Sequence, residues 1–279
     1  MLGSGAVSTL FLSQTPFGFG CLARGSAPDI ERNVRLSAII PARIGAQRLL
    51  GKPLADICGK PMVVRVAEAA ALAAGIDEVV VATDDEGIAK AVEKAGFRAE
   101  MTSRDCQNGT ERVAQAARAL DADAFLNVQG DEPLVEPSAI SALAALMREG
   151  VEYGTLARPL LPGEEEKPSV VKVVLDLQSR GLYFSRSLIP FPRTPNKVRP
   201  LAHLGLYGFS RDFLQTFARL SPTALEEAEG LEQLRALAHG FPLHVRVGDW
   251  SSIAVDTPED LEQVRALFAA RNDHDRRTA

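Results

Sequence analysis

LSAIIPARIGAQRLLGKP, residues 36–53, decides how the rest of the chain is read. Residues 36–40 are an apolar run with the look of a buried strand. It leads into Pro41-Ala42-Arg43 and then Arg48-Leu49-Leu50-Gly51-Lys52-Pro53. In an α/β sheet that place is the crevice beyond the carboxyl end of the first strand, where ligands bind. Lysine supplies a point charge there, and arginine a planar fork suited to phosphate oxygens. Arg43, Arg48 and Lys52 therefore read as a polyphosphate clamp and point to a nucleotide-handling enzyme. GxxxxGK[ST] is absent, so the clamp is not a P-loop.

Outward from this stretch the chain alternates short apolar runs with helical patterns. Strands are expected at 36–40, 78–83, 97–101 and 124–129, and helices at 62–74, 86–95, 109–120 and 137–148. Apolar strands separated by helices imply βαβ units and a mostly parallel sheet with helices on both faces. After residue 150 the pattern changes. Strands are expected at 153–160, 170–176, 181–185 and 203–209 without regular helices between them, with an irregular proline-rich basic loop at 189–200. Helical patterns return at 223–239 and 258–270, around a strand at 243–247. The expected fold is an α/β protein: a mixed, mostly parallel sheet with a smaller mixed subregion.

The domain reading is one unit over 34–271, its nucleotide part about 34–150 and its acceptor and dimerisation part about 151–240. Residues 1–33 lack any helical or strand period and read as a disordered extension or a misassigned start. They make a poor signal peptide, with no basic residues ahead of a short apolar stretch. Residues 272–279 read as a charged, frayed tail.

The 279 residues are 46% hydrophobic and 24% charged, ordinary for a soluble globular protein. A formal charge of -5 gives no global attraction to nucleic acid, so a polyanionic ligand depends on local cations. Cys21, Cys58 and Cys106 are scattered, and there are 4 histidines, which disfavours disulfide scaffolds and structural zinc. A cytoplasmic protein fits best, and no window reads as a membrane span.

Four further constellations carry chemistry. Asn127-Val128-Gln129-Gly130-Asp131-Glu132-Pro133 follows a buried-looking strand. There Asp131, with Glu132 as the weaker choice, is placed to hold a hard cation such as Mg2+, which takes one or two carboxylates and completes its shell with phosphate and water. The alternative is a turn aspartate capping the next helix. Asp256 stands before a helix opened by Thr257-Pro258 and reads alone as part of an ordinary helix start. It gains meaning if the fold brings it beside Asp131. Asn108-Gly109-Thr110-Glu111-Arg112 opens a helix either as plain capping or as a base or phosphate reader. On the acceptor side stand Lys172, Tyr183 to Arg186, His203 to Gly208, and Glu229 with Glu232 to Arg235. Asp84-Asp85 reads as a helix cap, and the charge run at 164–167 as a solvated turn.

Taken in order, IIPAR, GKPL, ATD, NGTER, NVQGDEP, KVV, YFSR, HLGLYG, LEQLR and VDTPEDL resemble the CMP-Kdo synthetases, the 3-deoxy-manno-octulosonate (Kdo) cytidylyltransferases. The resemblance runs from about Leu36 to Arg271. It implies a three-layer α/β/α nucleotidyltransferase fold, usually dimeric. It also implies the reaction of CTP with Kdo to give CMP-Kdo and diphosphate, with magnesium, for lipopolysaccharide synthesis. On matched positions it implies that Arg43, Arg48 and Lys52 hold the triphosphate and that Asp131 and Asp256 ligate magnesium. Pro41, Ala42, Gly109 and Arg112 would frame the cytidine, and Gln129, Arg186, His203, Tyr207, Glu229 and Gln233 would line the Kdo pocket. The rival readings are the same chemistry on 8-amino-Kdo or a sialic acid, and a non-catalytic nucleotide-binding module. The chain departs from the family's R-L-P-G-K-P at Leu50 and from its Glu-His-Ile-Glu-Met at Glu226-Glu227-Ala228-Glu229-Gly230.

Overall fold

The computed structural model describes residues 34–45, 49, 51–194 and 197–278; the readings of residues 1–33 and of Arg48 lie outside the described residues. The chain opens with β1 (Leu36–Ala42), followed by a tight 3-10 turn, Lys52–Leu54, and a small hairpin, β2 (Asp56–Ile57) and β3 (Lys60–Pro61). Next come α1 (Met62–Ala71), β4 (Glu78–Thr83), α2 (Glu86–Lys94), β5 (Arg98–Met101), α3 (Gly109–Ala117), β6 (Ala124–Asn127) and α4 (Pro137–Arg148). The remainder comprises β7 (Tyr153–Pro159), β8 (Lys172–Leu175), β9 (Gly181–Ser185), β10 (Leu201–Ser210), α5 (Arg211–Phe217), α6 (Ala224–Glu229), α7 (Gln233–Ala238), β11 (His244–Val247) and α8 (Pro258–Thr278).

The main sheet runs β11-β7-β10-β6-β1-β4-β5, with β8 paired to β10 and β9 to β8. β5, β4, β1 and β6 are parallel, while β10 runs antiparallel to both β6 and β7. The mixed character thus comes from β10, and the residues after 150 extend the same sheet.

Alternation along the strands feeds two cores. From β1, Leu36, Ala38 and Ile40 face one core while Ile39 faces the other; from β6, Leu126 and Phe125 divide in the same way. The first core is closed by α1, whose Val63, Val66, Ala67 and Ala70 form a helical stripe, and by α4 through Ile140, Leu143, Ala144 and Met147. The second is closed by α3, α5 and α7 through Val113, Phe213, Phe217 and Leu234. The result is three layers, α/β/α. A third, smaller core of Ile57, Met62, Leu134, Val255, Leu261 and Val264 seats α8 against the β2–β3 hairpin.

Several elements differ from the sequence reading. The helical pattern over 223–239 is two helices, because Gly230 turns left-handed at φ 62 and ends α6. α5 is an added helix, capped by Ser210, which accepts from the Phe213 N–H. α8 continues to Thr278, through the residues read as a tail, since nothing there carries a glycine or proline to stop it. Among the described residues no helix is long and apolar enough to cross a membrane.

Candidate active site

β1 lies between β4 and β6, and the chain moves from one side of it to the other after β5. This is the topological switch point where an open α/β sheet parts its loops and leaves a crevice. The loops after β1 and β6 meet over it. A Cβ on Gly130 would lie 2.7 Å from the Pro41 carbonyl oxygen, so only glycine allows that approach. The resulting cleft, about 490 Å³, is lined by Pro41, Ala42, Arg43, Leu49, Lys52, Pro53, Cys106, Gln107, Asn108, Gly109, Arg112, Gln129, Gly130, Asp131 and Asp256. Each described residue expected to hold phosphate, cytidine or metal lies on this one surface.

Lys52 is delivered by Gly51, which is left-handed at φ 69, and its ammonium sits between two carboxylates. Nζ donates to Asp131 Oδ2 at 2.7 Å and to Asp256 Oδ1 at 3.0 Å. Burial alone would push the Lys52 ammonium down, but Asp131 and Asp256 together hold it above its ordinary value. Asp131 is not a helix cap, since α4 begins after Glu136. Thr257 caps α8. Asp260 Oδ2 takes the Asp256 and Thr257 N–H groups, and Thr257 Oγ1 takes the Asp260 N–H. Glu132, the weaker metal candidate, is engaged elsewhere: it accepts from Ser252 Oγ. Burial pushes its carboxyl up to about 7, with the Ser252 hydroxyl opposing.

On the side expected to hold the nucleotide, α3 starts at the cleft. Asn108 caps it, accepting from the Glu111 N–H at 2.8 Å, so capping and cleft-lining coexist in one turn. Arg112 is buried to 3% exposure and held by Thr102 Oγ1 and, at 3.0 Å, by Asp84 Oδ2. Asp84 thus orients an arginine, while Asp85 caps α2 by accepting from the Ile88 N–H.

The acceptor residues fall into two groups. Gln129 lines the cleft and donates to the Gly205 carbonyl at 3.1 Å. His203, Tyr207 and Gln233 gather behind it: Tyr207 Oη donates to Gln233 Oε1 at 3.0 Å, and His203 Nε2 lies 2.9 Å from Thr155 Oγ1. Burial pushes the His203 imidazole down to about 3, so the ring is neutral. Arg186 and Glu229 form the second group. Glu229 accepts from Ser185 Oγ and the Arg186 N–H, while the Arg186 guanidinium donates to the carbonyls of Glu229, Pro168 and Gly230. None of Arg186, His203, Tyr207, Glu229 and Gln233 lines the cleft itself.

Two sequence readings outside the cleft change. Lys172 has no exposure and donates to the carbonyls of Lys167 and Arg186, so it is a structural strut. Glu164 is not a solvated turn charge: Arg158 grips it with two hydrogen bonds, at 2.7 and 2.8 Å. Sequence reasoning passed over Cys106 and Gln107 in the cleft wall and Thr102 behind Arg112. A polar residue directly after an edge strand, as Thr102 is after β5, was the available signal.

Cations and paired carboxylates meeting over a switch point, without a P-loop, make this chain a nucleotidyltransferase. It belongs to the cytidylyltransferase family, whose model matches residues 37–268, and within it to the 3-deoxy-manno-octulosonate cytidylyltransferases. It is 51% identical over 239 residues to the protein of that name from Anaeromyxobacter sp. (strain Fw109-5), covering 85% of this chain and 98% of the relative. Identity to the Myxococcus xanthus protein of the same name is 49% over 243 residues, covering 86% and 99%. A solved CMP:2-keto-3-deoxy-manno-octonic acid synthetase complexed with CTP superposes with a TM-score of 0.82 at 42% identity, over 85% of this chain and 99% of that one. A 4-diphosphocytidyl-2C-methyl-D-erythritol synthase from Anaerococcus prevotii, at 18% identity and TM-score 0.57 over 85% of this chain and 97% of its own, shares the fold.

Proposed function

We propose that the chain activates Kdo: CTP and 3-deoxy-D-manno-octulosonate give CMP-Kdo and diphosphate, for lipopolysaccharide synthesis. The convergence of Lys52, Asp131 and Asp256 on the floor of a cleft walled by Arg43, Gly109 and Arg112 carries the reading. Kinship with relatives at about half identity supplies the sugar acid.

The anomeric hydroxyl oxygen of Kdo forms a bond to the α-phosphorus of CTP. The bond from that phosphorus to the β-phosphate bridging oxygen breaks, the hydroxyl proton goes to solvent, and diphosphate leaves. Little covalent work falls to the protein. Arg43, Arg48 and Lys52 neutralise charge that grows on the departing diphosphate. The α3 N-terminus and Arg112 hold the cytidine, and Gln129, with the His203, Tyr207 and Gln233 group behind it, orients the sugar acid.

The residues fit a divalent cation. Asp131 and Asp256 already share one positive group, Lys52, and both offer hard oxygen donors. Among the described residues no cluster of three or more His, Cys, Asp or Glu side chains is built to hold a metal unaided. Mg2+ binds through one or two carboxylates plus substrate phosphates. Asp131 and Asp256 would hold it, and it would supply Lewis-acid polarisation of phosphoryl oxygens.

The same reading makes the protein a cytoplasmic homodimer. Leu177, Leu182, Phe191 and Val198 are exposed on the β8–β9 hairpin and the loop after it, which supports a subunit contact there.

Diphosphate release with CTP, Mg2+ and each of Kdo, 8-amino-Kdo and a sialic acid tests the function. Kdo-dependent release is expected, and Asp131→Asn should abolish it in folded protein. Release only with another acid would move the acceptor. Silence with all three, from protein that binds CTP, would leave a binding module.

A further inference from the structure

Asp131 and Asp256 come from loops far apart in sequence, and both side chains are substantially exposed, at 36% and 53%. Two like charges gathered on one ammonium repel, and Lys52 is a flexible tether. The loop bearing Asp256, residues 248–256, has neither helix nor strand of its own. It is fixed instead by bonds to the loop bearing Asp131. Trp250 packs against the first core and anchors the start of the loop. Ser251 donates twice to Glu136 Oε1, through its N–H at 2.8 Å and its hydroxyl at 2.9 Å. Ser252 Oγ donates to Glu132 Oε2. The Val255 N–H closes the set on the Asp131 carbonyl at 2.9 Å.

We infer that Ser251 and Ser252, through Glu136 and Glu132, are positioning residues that clasp the two loops and set the spacing of Asp131 and Asp256. The inference rests on the reading that these two aspartates hold the divalent cation. Two serines on one loop meet two glutamates on the other. Each bond orients the backbone that carries an aspartate, which is how outer groups tune a metal site they do not touch. A hydroxyl is small enough to reach a half-buried carboxyl group at the loop junction.

The test uses the full chain with CTP and Mn2+ as the spin-active probe. Free Mn2+ is read by electron paramagnetic resonance, alongside the Mg2+ concentration giving half-maximal diphosphate release. Ser252→Ala should weaken Mn2+ binding roughly tenfold or more, the usual range for such outer groups. It should raise the Mg2+ requirement in parallel, with the KM for Kdo unchanged, and Ser252→Thr should restore both. If Ser252→Ala does not fold, Ser251→Ala keeps the backbone donor and reads the same shift at smaller size. Asp256→Asn separates the two levels of the argument. Wild-type Mn2+ binding by that variant would overturn the metal assignment. Loss of binding in Asp256→Asn with wild-type binding in Ser252→Ala would overturn the clasp alone. So would a Ser252→Ala variant that melts earlier but keeps its metal affinity well below the transition.

Discussion

Thr110 Oγ1 donates to Glu232 Oε2 at 2.7 Å, latching the turn that opens α3 to the residue that precedes α7. Asn127 Nδ2 reaches the same hydroxyl at 3.4 Å. In the proposed function α3 carries the cytidine-side residues Gly109 and Arg112, and α7 carries Gln233 on the sugar side. One hydroxyl therefore joins the two halves of the site.

Thr110→Val keeps the shape and removes that hydroxyl, leaving the Glu232 carboxylate without its donor. The loss should be about 1–3 kcal/mol of stability, with a higher KM for CTP. Urea unfolding of Thr110→Val, Glu232→Met and the double variant measures it. A coupling energy near zero in that cycle would show that the latch is not energetically real.

Lys52→Met leaves Asp131 and Asp256 facing each other without their shared cation. Turnover should fall roughly 100-fold or more, since the lost charge acts on the leaving group. Steady-state kinetics reads the loss. The melting temperature of the variant should also rise more with added Mg2+ than that of the wild type, because only the folded state gathers both carboxylates. A variant indifferent to Mg2+ in both assays would separate Lys52 from the carboxylate pair.

His203 gives the pH dependence. Packed against Phe184, Tyr207 and Thr155, its ring titrates at about 3 in the folded protein, well below the unfolded value. Below roughly pH 6.5 the unfolded chain takes up a proton that the native ring refuses. The contribution is therefore complete above that pH and is lost as pH falls, by up to about 1.4 kcal/mol per pH unit. Unfolding free energies between pH 5 and 7 should show this slope, and His203→Gln should flatten it. An unchanged slope in the variant would assign the acid sensitivity to the carboxylates.

How much was legible follows from which residues signal through spacing alone. β4 and α4 have the expected bounds because an apolar run or a helical stripe fills each without interruption. Arg43, Lys52, Asp131 and Asp256 share one cleft because each sits in a loop that follows a strand or precedes a helix, where the fold puts loops at a crevice. Residues whose role depends on a distant partner were not legible. Nothing local tells that Lys172 ends in the core on two carbonyls or that Glu164 is gripped by Arg158. The helical period over 223–239 likewise runs straight through Gly230, and only the left-handed turn shows that the chain bends there.

That bend is held by a buried ion pair. Arg235 Nε donates to Glu226 Oε2 at 2.8 Å and its second amino group to Oε1 at 2.5 Å, with side-chain exposures of 8% and 11%. The guanidinium also lies 5.5 Å from the centre of the Phe217 ring. The pair fastens α6 to α7 on either side of Gly230 and so sets where Glu229, Glu232 and Gln233 stand. Glu226→Ala strands a buried cation, and the expected cost is about 3–5 kcal/mol. Replacing both partners, as in Glu226→Leu with Arg235→Met, should recover much of it, because no charge is then left unpaired. Denaturant midpoints of the two variants and the wild type decide the matter. If the double variant is as unstable as Glu226→Ala, packing around the guanidinium rather than its charge holds the bend.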